Sequence, residues 1–204
     1  GPILPQTLSA EGVKAAIANN PLVKEGIDPT PVHAIITNST YDGLTYNVTR
    51  VEELLGQSVD RLHFDEAWYG YARFNPLYRD RHAMHGSPDD HDASKPTVFA
   101  TQSTHKLLAA LSQSSMIHVR NGRNPIEHGR FNESYMMHAS TSPNYAIMAS
   151  CDVSSAMMEA PSGQILTTEA IEEAIAFRQV ISRMTDEMQG KDEWQVVCEL
   201  SQAM

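Results

Sequence analysis

Lys106 lies in the run Thr101-Gln-Ser-Thr-His-Lys-Leu-Leu-Ala-Ala-Leu-Ser-Gln-Ser-Ser115, directly after the apolar stretch Thr97-Val-Phe-Ala100. A histidine and a lysine stand side by side among small hydroxyl residues. An ordinary surface lysine needs no such setting. A lysine that forms an imine needs its amine brought toward neutrality by partial burial or a nearby positive group, and hydroxyls beside it suit an anionic cofactor. Asp65, after the apolar Arg61-Leu-His-Phe64, is a second candidate. A carboxylate at such a depth is costly unless a cation pairs with it, although a helix cap or a salt bridge would also account for it.

Positioning these groups requires elements whose ends meet. Ser9 as N-cap opens a helix over 9–20, with Val13, Ala16 and Ile17 on one face. Val32–Thr37, Arg61–Phe64, Thr97–Ala100 and Ser115–Val119 read as short strands from their branched and aromatic residues. Thr49, with Glu52 completing a capping box, opens a helix through Leu55. Residues 82–96 read as a polar surface loop. Arg130–Ala139 reads as a helix, Pro143 opens another to about Met158, and Thr167/Thr168 begin a long amphipathic one. Strands alternating with helices predict an α/β chain with a mainly parallel sheet flanked by helices. Sites in such sheets form at the carboxyl ends of the strands. Asn38–Gly43, Asp65–Trp68 and Thr101–Lys106 all fall there.

The lysine run resembles the pyridoxal-phosphate attachment site of the bacterial ornithine/lysine/arginine decarboxylases, with no mismatch at Thr101, Ser103, His105, Lys106, Ala109, Ala110 or Ser112–Ser115. His63-Phe-Asp-Glu-Ala-Trp68 is similar to the family segment that carries its aspartate. The resemblance implies part of the major domain of a fold-type-I, aspartate-aminotransferase-like enzyme. It implies Lys106 as the cofactor lysine, Asp65 as partner of the protonated pyridine nitrogen, and Trp68 on the phenolic side of the ring. Ser103 would hold the phosphate. His105 would shape the site and assist proton transfer, or simply pack. Asn38–Gly43 also looks like the family. Ser39 and Thr40 would line the cofactor or substrate side, or serve only as a strand-to-helix turn. Ser140 and Thr141 would reach the neighbouring subunit's phosphate, cap the following helix, or do both. The reaction implied is decarboxylation of a basic amino acid by a homo-oligomer built from dimers. Asp65–Pro76 looks most like the acid-inducible arginine decarboxylases, so arginine leads, with lysine and ornithine behind. A different fold-type-I enzyme, such as an aminotransferase, and a non-catalytic piece keeping a dimer surface are the alternatives. Family members are much longer, so residues 1–190 are expected to be part of the cofactor domain and 191–204 a tail or the start of the following segment, with wing and carboxyl-terminal domains absent.

The 204 residues carry 15 basic and 25 acidic side chains, a net charge of −10, which disfavours nucleic-acid and anionic-membrane partners. No run is long and apolar enough for a membrane span, and the amino terminus lacks the pattern of a secretory signal. Cys151 and Cys198 lack metal-ligand spacing and read as reduced thiols, which points to the cytoplasm. His82, His85 and Asp89–Asp92 read as solvated loop, and no metal is expected. Protonating all 9 histidines would bring the charge to −1, so self-repulsion between copies falls in acid. A larger mean mass at pH 5 than at pH 8 is the expected outcome of a native-mass measurement, and equal masses would overturn it.

Overall fold

The computed structural model describes residues 3–24, 26, 30–90, 92–139 and 142–188. In chain order its elements are α1 (Pro5–Leu8), α2 (Ala10–Ala18), β1 (His33–Thr37), α3 (Val48–Leu55), β2 (Arg61–Asp65), β3 (Thr97–Gln102), α4 (Thr104–Leu107), β4 (Met116–Arg120), α5 (His128–His138), α6 (Tyr145–Met157) and α7 (Ser162–Met188). The strands form one sheet in the order β1-β2-β3-β4. The first three are parallel and β4 is antiparallel to β3. The expected α/β class with a mainly parallel sheet is what the chain adopts.

Strand alternation divides the sheet into two faces. Ile36, Leu62, Phe64, Val98 and Ala100 point to one, where they are buried with Val48, Val51 and Leu55 of α3. Three apolar positions of α3, spaced by three and four, make the helical stripe that covers this face. The other face carries His33, Ile35, Arg61, His63, Phe99, Ile117 and Val119. Ile35, Ile117 and Val119 are exposed there. His63 lies 6.0 Å, centroid to centroid, from both His33 and Phe99.

Two arginines join the far edge to the core. Arg120 of β4 donates to the buried carboxylate of Glu52 on α3 at 2.5 Å. Arg123 pairs with Asp60 at 2.8 Å and donates to the carbonyls of Gly56 and Val59, closing the end of α3. Gly122 must be glycine, because a Cβ would stand 2.1 Å from the Lys95 carbonyl oxygen.

Several expectations need correction. Ser9 does cap α2, its hydroxyl accepting from Gly12. The cap of α3 is Asn47, not Thr49, and Glu52 turns inward to Arg120 instead of back to the helix start. An Asx side chain two residues earlier caps the first turn instead, its Oδ1 accepting from the Arg50 amide at 2.9 Å. The long helix begins at Ser162, ahead of Thr167. Thr167 is buried within it and accepts from Asn75 at 3.2 Å. The loop from residue 82 is not wholly superficial, since His82 and Ala83 are buried.

Phe64 is fully buried at the centre of the core. Phe64→Ala is expected to cost about 3–5 kcal/mol of unfolding free energy, read as a lower urea midpoint with little change in slope.

Candidate active site

The three segments singled out by chemistry meet at the carboxyl edge of the parallel strands. Asp65, last residue of β2, lies in register with Thr37 on one side and Thr101 on the other. The ladder runs one step further through the backbone. Asn38 donates to the Asp65 carbonyl at 2.7 Å, and Glu66 donates to that of Thr101 at 2.9 Å. Asp65 and Lys106 therefore belong to neighbouring strand ends of one edge.

Lys106 sits in the single helical turn α4, half-buried. Its Nζ lies 4.7 Å from the centroid of the Trp68 ring. Tyr41 meets the same indole edge-on at 5.6 Å, so Trp68 is held between Tyr41 and the lysine. A cation over an indole face gains about 0.5–2 kcal/mol, enough to favour one arrangement of a flexible lysine. Ser103 occupies the N-cap position of the turn, but its hydroxyl caps nothing. Its carbonyl accepts from the Lys106 amide at 3.1 Å.

His105 is oriented from behind. Its Nδ1 is 2.7 Å from the Ser114 carbonyl oxygen, an atom that can only accept, so Nδ1 carries the hydrogen and Nε2 is left as the acceptor. The buried Thr104 donates to the Ser114 hydroxyl at 2.9 Å, and Ser114 donates to Leu111 at 2.7 Å. These bonds tie the lysine turn to the Leu111–Ser114 loop. Asp65 accepts from the Ala67 amide through Oδ1 at 3.1 Å, and its Oδ2 accepts no hydrogen bond among the described residues. Ser39 is buried. The Thr40 hydroxyl accepts from Leu44 at 3.2 Å, within its own turn. Ser140 and Thr141 lie outside the described residues.

The strongest feature of the site was not among the expected residues. Asn38 and Glu66, just beyond the last β1–β2 pair, and Gln102, the last residue of β3, form one row on the core face. Glu66 is fully buried. It accepts from Asn38 Nδ2 at 3.0 Å, from the Ala83 amide at 2.7 Å and from Gln102 Nε2 at 3.1 Å. Burial pushes its carboxyl up to about 7 against the pull of these three donors and of His85. The signal was present in the sequence: Asn38 is in phase with Ala34 and Ile36, Glu66 with Leu62 and Phe64, and Gln102 with Val98 and Ala100. His63, too, went unexpected. Its Nε2 is 2.6 Å from the Thr101 hydroxyl, on the face that carries Asp65.

Among the described residues, four histidines resist protonation. Burial holds His33, His63, His82 and His118 below the usual range, and Arg61 adds to it for His33, the neighbouring His33 ring for His63, and Arg73, His85 and Arg120 for His82. Among the described residues, no group of three histidine, cysteine, aspartate or glutamate side chains is placed to hold a metal ion.

Fold and site together define an α/β protein with a lysine-centred site at the carboxyl edge of a mainly parallel sheet. Residues 1–199 match the family model described as Orn/Lys/Arg decarboxylase, major domain, and the chain belongs to that family. The chain is 54% identical over 194 residues to the biodegradative arginine decarboxylase of Escherichia coli (strain K12), covering 95% of this chain and 25% of that protein. It is 47% identical over 176 residues to the inducible lysine decarboxylase of the same strain, covering 85% and 23%. Lysine decarboxylase A from Pseudomonas aeruginosa superposes with a TM-score of 0.85 at 48% identity, over 94% of this chain and 25% of the other. The chain thus spans about a quarter of the length of these relatives.

His82 titrates against the fold. Burial, and then Arg73, His85 and Arg120, lower it to about 4 from 6.5. The unfolded chain takes up this proton below about pH 6.5 and the folded chain only near 4, so its contribution to stability is lost as pH falls between them. His82→Phe keeps the ring and removes the titration. Relative to wild type it is expected to gain on the order of 2–3 kcal/mol between pH 7 and pH 4, measured by urea unfolding across that range.

Proposed function

We propose that the protein to which this chain belongs is a pyridoxal-phosphate-dependent decarboxylase of a basic amino acid, converting L-arginine to agmatine and carbon dioxide. The observation that carries this reading is the half-buried Lys106 held over Trp68, one strand away from Asp65. The residues suit the cofactor. Lys106 offers an amine that condenses with an aldehyde, Asp65 a carboxylate oxygen that accepts no hydrogen bond among the described residues, and Ser103 a hydroxyl that does not cap its turn. Pyridoxal phosphate, when bound, supplies an electron-withdrawing ring that accepts the electron pair released as the α-carboxylate departs.

The chain's own groups do the rest. Asp65 holds a proton on the ring nitrogen by pairing with it. Ser103 and the backbone of the lysine turn bind the phosphate. Trp68 orients the amine and packs beside the ring. His105, fixed through Nδ1, presents Nε2 to move a proton. One proton replaces the carboxylate on the α-carbon, so turnover consumes a proton from the medium. Arginine is favoured over lysine and ornithine because identity falls from 54% with the arginine enzyme to 47% and 39% with lysine and ornithine enzymes of the same strain. The reading includes the fold-type-I architecture, a cytoplasmic homo-oligomer built from dimers, and Ser140 and Thr141 contributing across the dimer interface.

The full-length enzyme is expected to take up pyridoxal phosphate and, after borohydride reduction and peptide mapping, to carry it on Lys106. Asp65→Asn is expected to lower kcat about a hundredfold or more. Carbon dioxide release from arginine, lysine and ornithine assigns the substrate. Label on another lysine, or release from none of the three, would overturn the proposal.

A further inference from the structure

The core ends at the site in a polar row. Asn38 and Glu66 are fully buried and Gln102 nearly so, each one step past apolar residues of its own strand. Only one member of the cage around Glu66 can turn over. The Ala83 amide can only donate. Asn38 is fixed because its Oδ1 accepts from the Tyr46 amide at 3.1 Å while its Nδ2 also donates to the Arg81 carbonyl at 2.9 Å. Gln102 can reverse, because among the described residues its side-chain amide makes a single hydrogen bond, from Nε2 to Glu66. Its Oε1 lies 3.6 Å from where a Cβ on Gly70 would stand, and the side chain borders a cavity of about 260 Å³.

An ionised Glu66 accepts three hydrogen bonds and needs nothing else. A protonated Glu66 must also donate. Its Oε1 already faces two fixed donors, so the hydrogen belongs on Oε2, and the neighbour there is Gln102 Nε2. The hydrogen finds an acceptor when the Gln102 amide reverses and presents Oε1. Leaving it without one inside the protein would cost about 1–3 kcal/mol.

We propose that Glu66 is a positioning residue for the neighbouring site: its carboxylate binds the ends of β1, β2 and β3 and the Arg81–Ala83 loop into one unit, and its proton sets the orientation of the Gln102 amide, the residue that leads into Ser103 and Lys106. The proposal rests on the decarboxylase reading for its effect on turnover. Burial places the change of charge near neutrality, so both arrangements are populated within an ordinary pH range. The titratable groups that act on Glu66 are few. His85 draws its carboxyl back down, Tyr69 faces it from the following turn, and the direct partners Asn38, Ala83 and Gln102 are neutral.

The test uses the full-length enzyme as wild type, Glu66→Gln and Gln102→Met. Infrared difference spectra of the cofactor-free protein are expected to show a protonated-carboxyl band that appears as pH falls through about 7 and is missing in Glu66→Gln. In Gln102→Met the band is expected at higher frequency, because the acid proton has lost its acceptor. With cofactor bound, kcat/KM of wild type is expected to inflect near neutrality, whereas Glu66→Gln lacks that inflection and agrees with wild type at lower pH within about twofold. A residue that only supports the fold would lower activity at every pH. No band titrating near neutrality, an unmoved band in Gln102→Met, or a Glu66→Gln profile parallel to wild type would overturn the proposal. Failure of Lys106 to take up pyridoxal phosphate would sink the functional reading alone, and the infrared titration would still decide the coupling of Glu66 to Gln102.

Discussion

A buried carboxylate and three donors aimed at it set the geometry of this site. Burying Glu66 costs several kcal/mol if the group is left charged and unpaired. The bonds from Asn38, Ala83 and Gln102 offset that cost only if all three donors hold their places together. The demand falls on segments distant in sequence: the end of β1, the end of β3 and the loop before β3. Strand alternation then separates two adjacent carboxylates. Glu66 turns into the core, and Asp65 turns to the face that carries His63 and Thr101. One dipeptide thus supplies both the anchor of the sheet edge and a carboxylate on the opposite face of the sheet.

The remaining frame keeps this edge from shearing. Parallel strands point all their carboxyl ends the same way, so Thr37, Asp65 and Thr101 share one row. The antiparallel β4 closes the far side and is held to α3 by Arg120 and Glu52. At the site edge, Thr104, His105 and Ser114 fasten the lysine turn to the loop that leads into β4. Lys106 therefore hangs from a short turn braced at both ends, and its long side chain is steered by an indole rather than by an ion pair.

Much of this was legible in the sequence, and the omissions have physical causes. The strands announced themselves through Ile36, Phe64, Val98 and their neighbours, because a sheet packed against a helix selects branched and aromatic residues. Lys106 stood out because its neighbours are unusual for a surface lysine. Caps were misplaced by residues of equal capping strength: Asn47 and Thr49 both suit the role, and only tertiary packing chooses. His82 and Ala83 read as loop because polar and proline-rich composition hides a two-residue plunge whose purpose is the amide that reaches Glu66. Asn38, Glu66 and Gln102 were passed over because polar residues after a strand ordinarily mark its exit to solvent. Their two-residue phase with the core says otherwise, provided the strand is allowed to run two residues further than its last apolar member.

The same loop carries opposed titrations. Glu66 is raised to about 7 from 4.5 and His82 is lowered to about 4 from 6.5, in each case chiefly by burial. As pH falls from 7 to 4.5, the unfolded chain loses the advantage of an ionised Glu66, and the fold gains. Over nearly the same interval the unfolded chain gains a proton on His82 that the fold refuses, and the fold loses. The two slopes have opposite sign and overlap, so the stability of this edge is nearly level through mild acid although each group alone would tilt it. The frame of this edge therefore does not loosen as the medium acidifies through that interval. Pairing a buried acid with a buried base on one loop achieves that without adding any exposed charge.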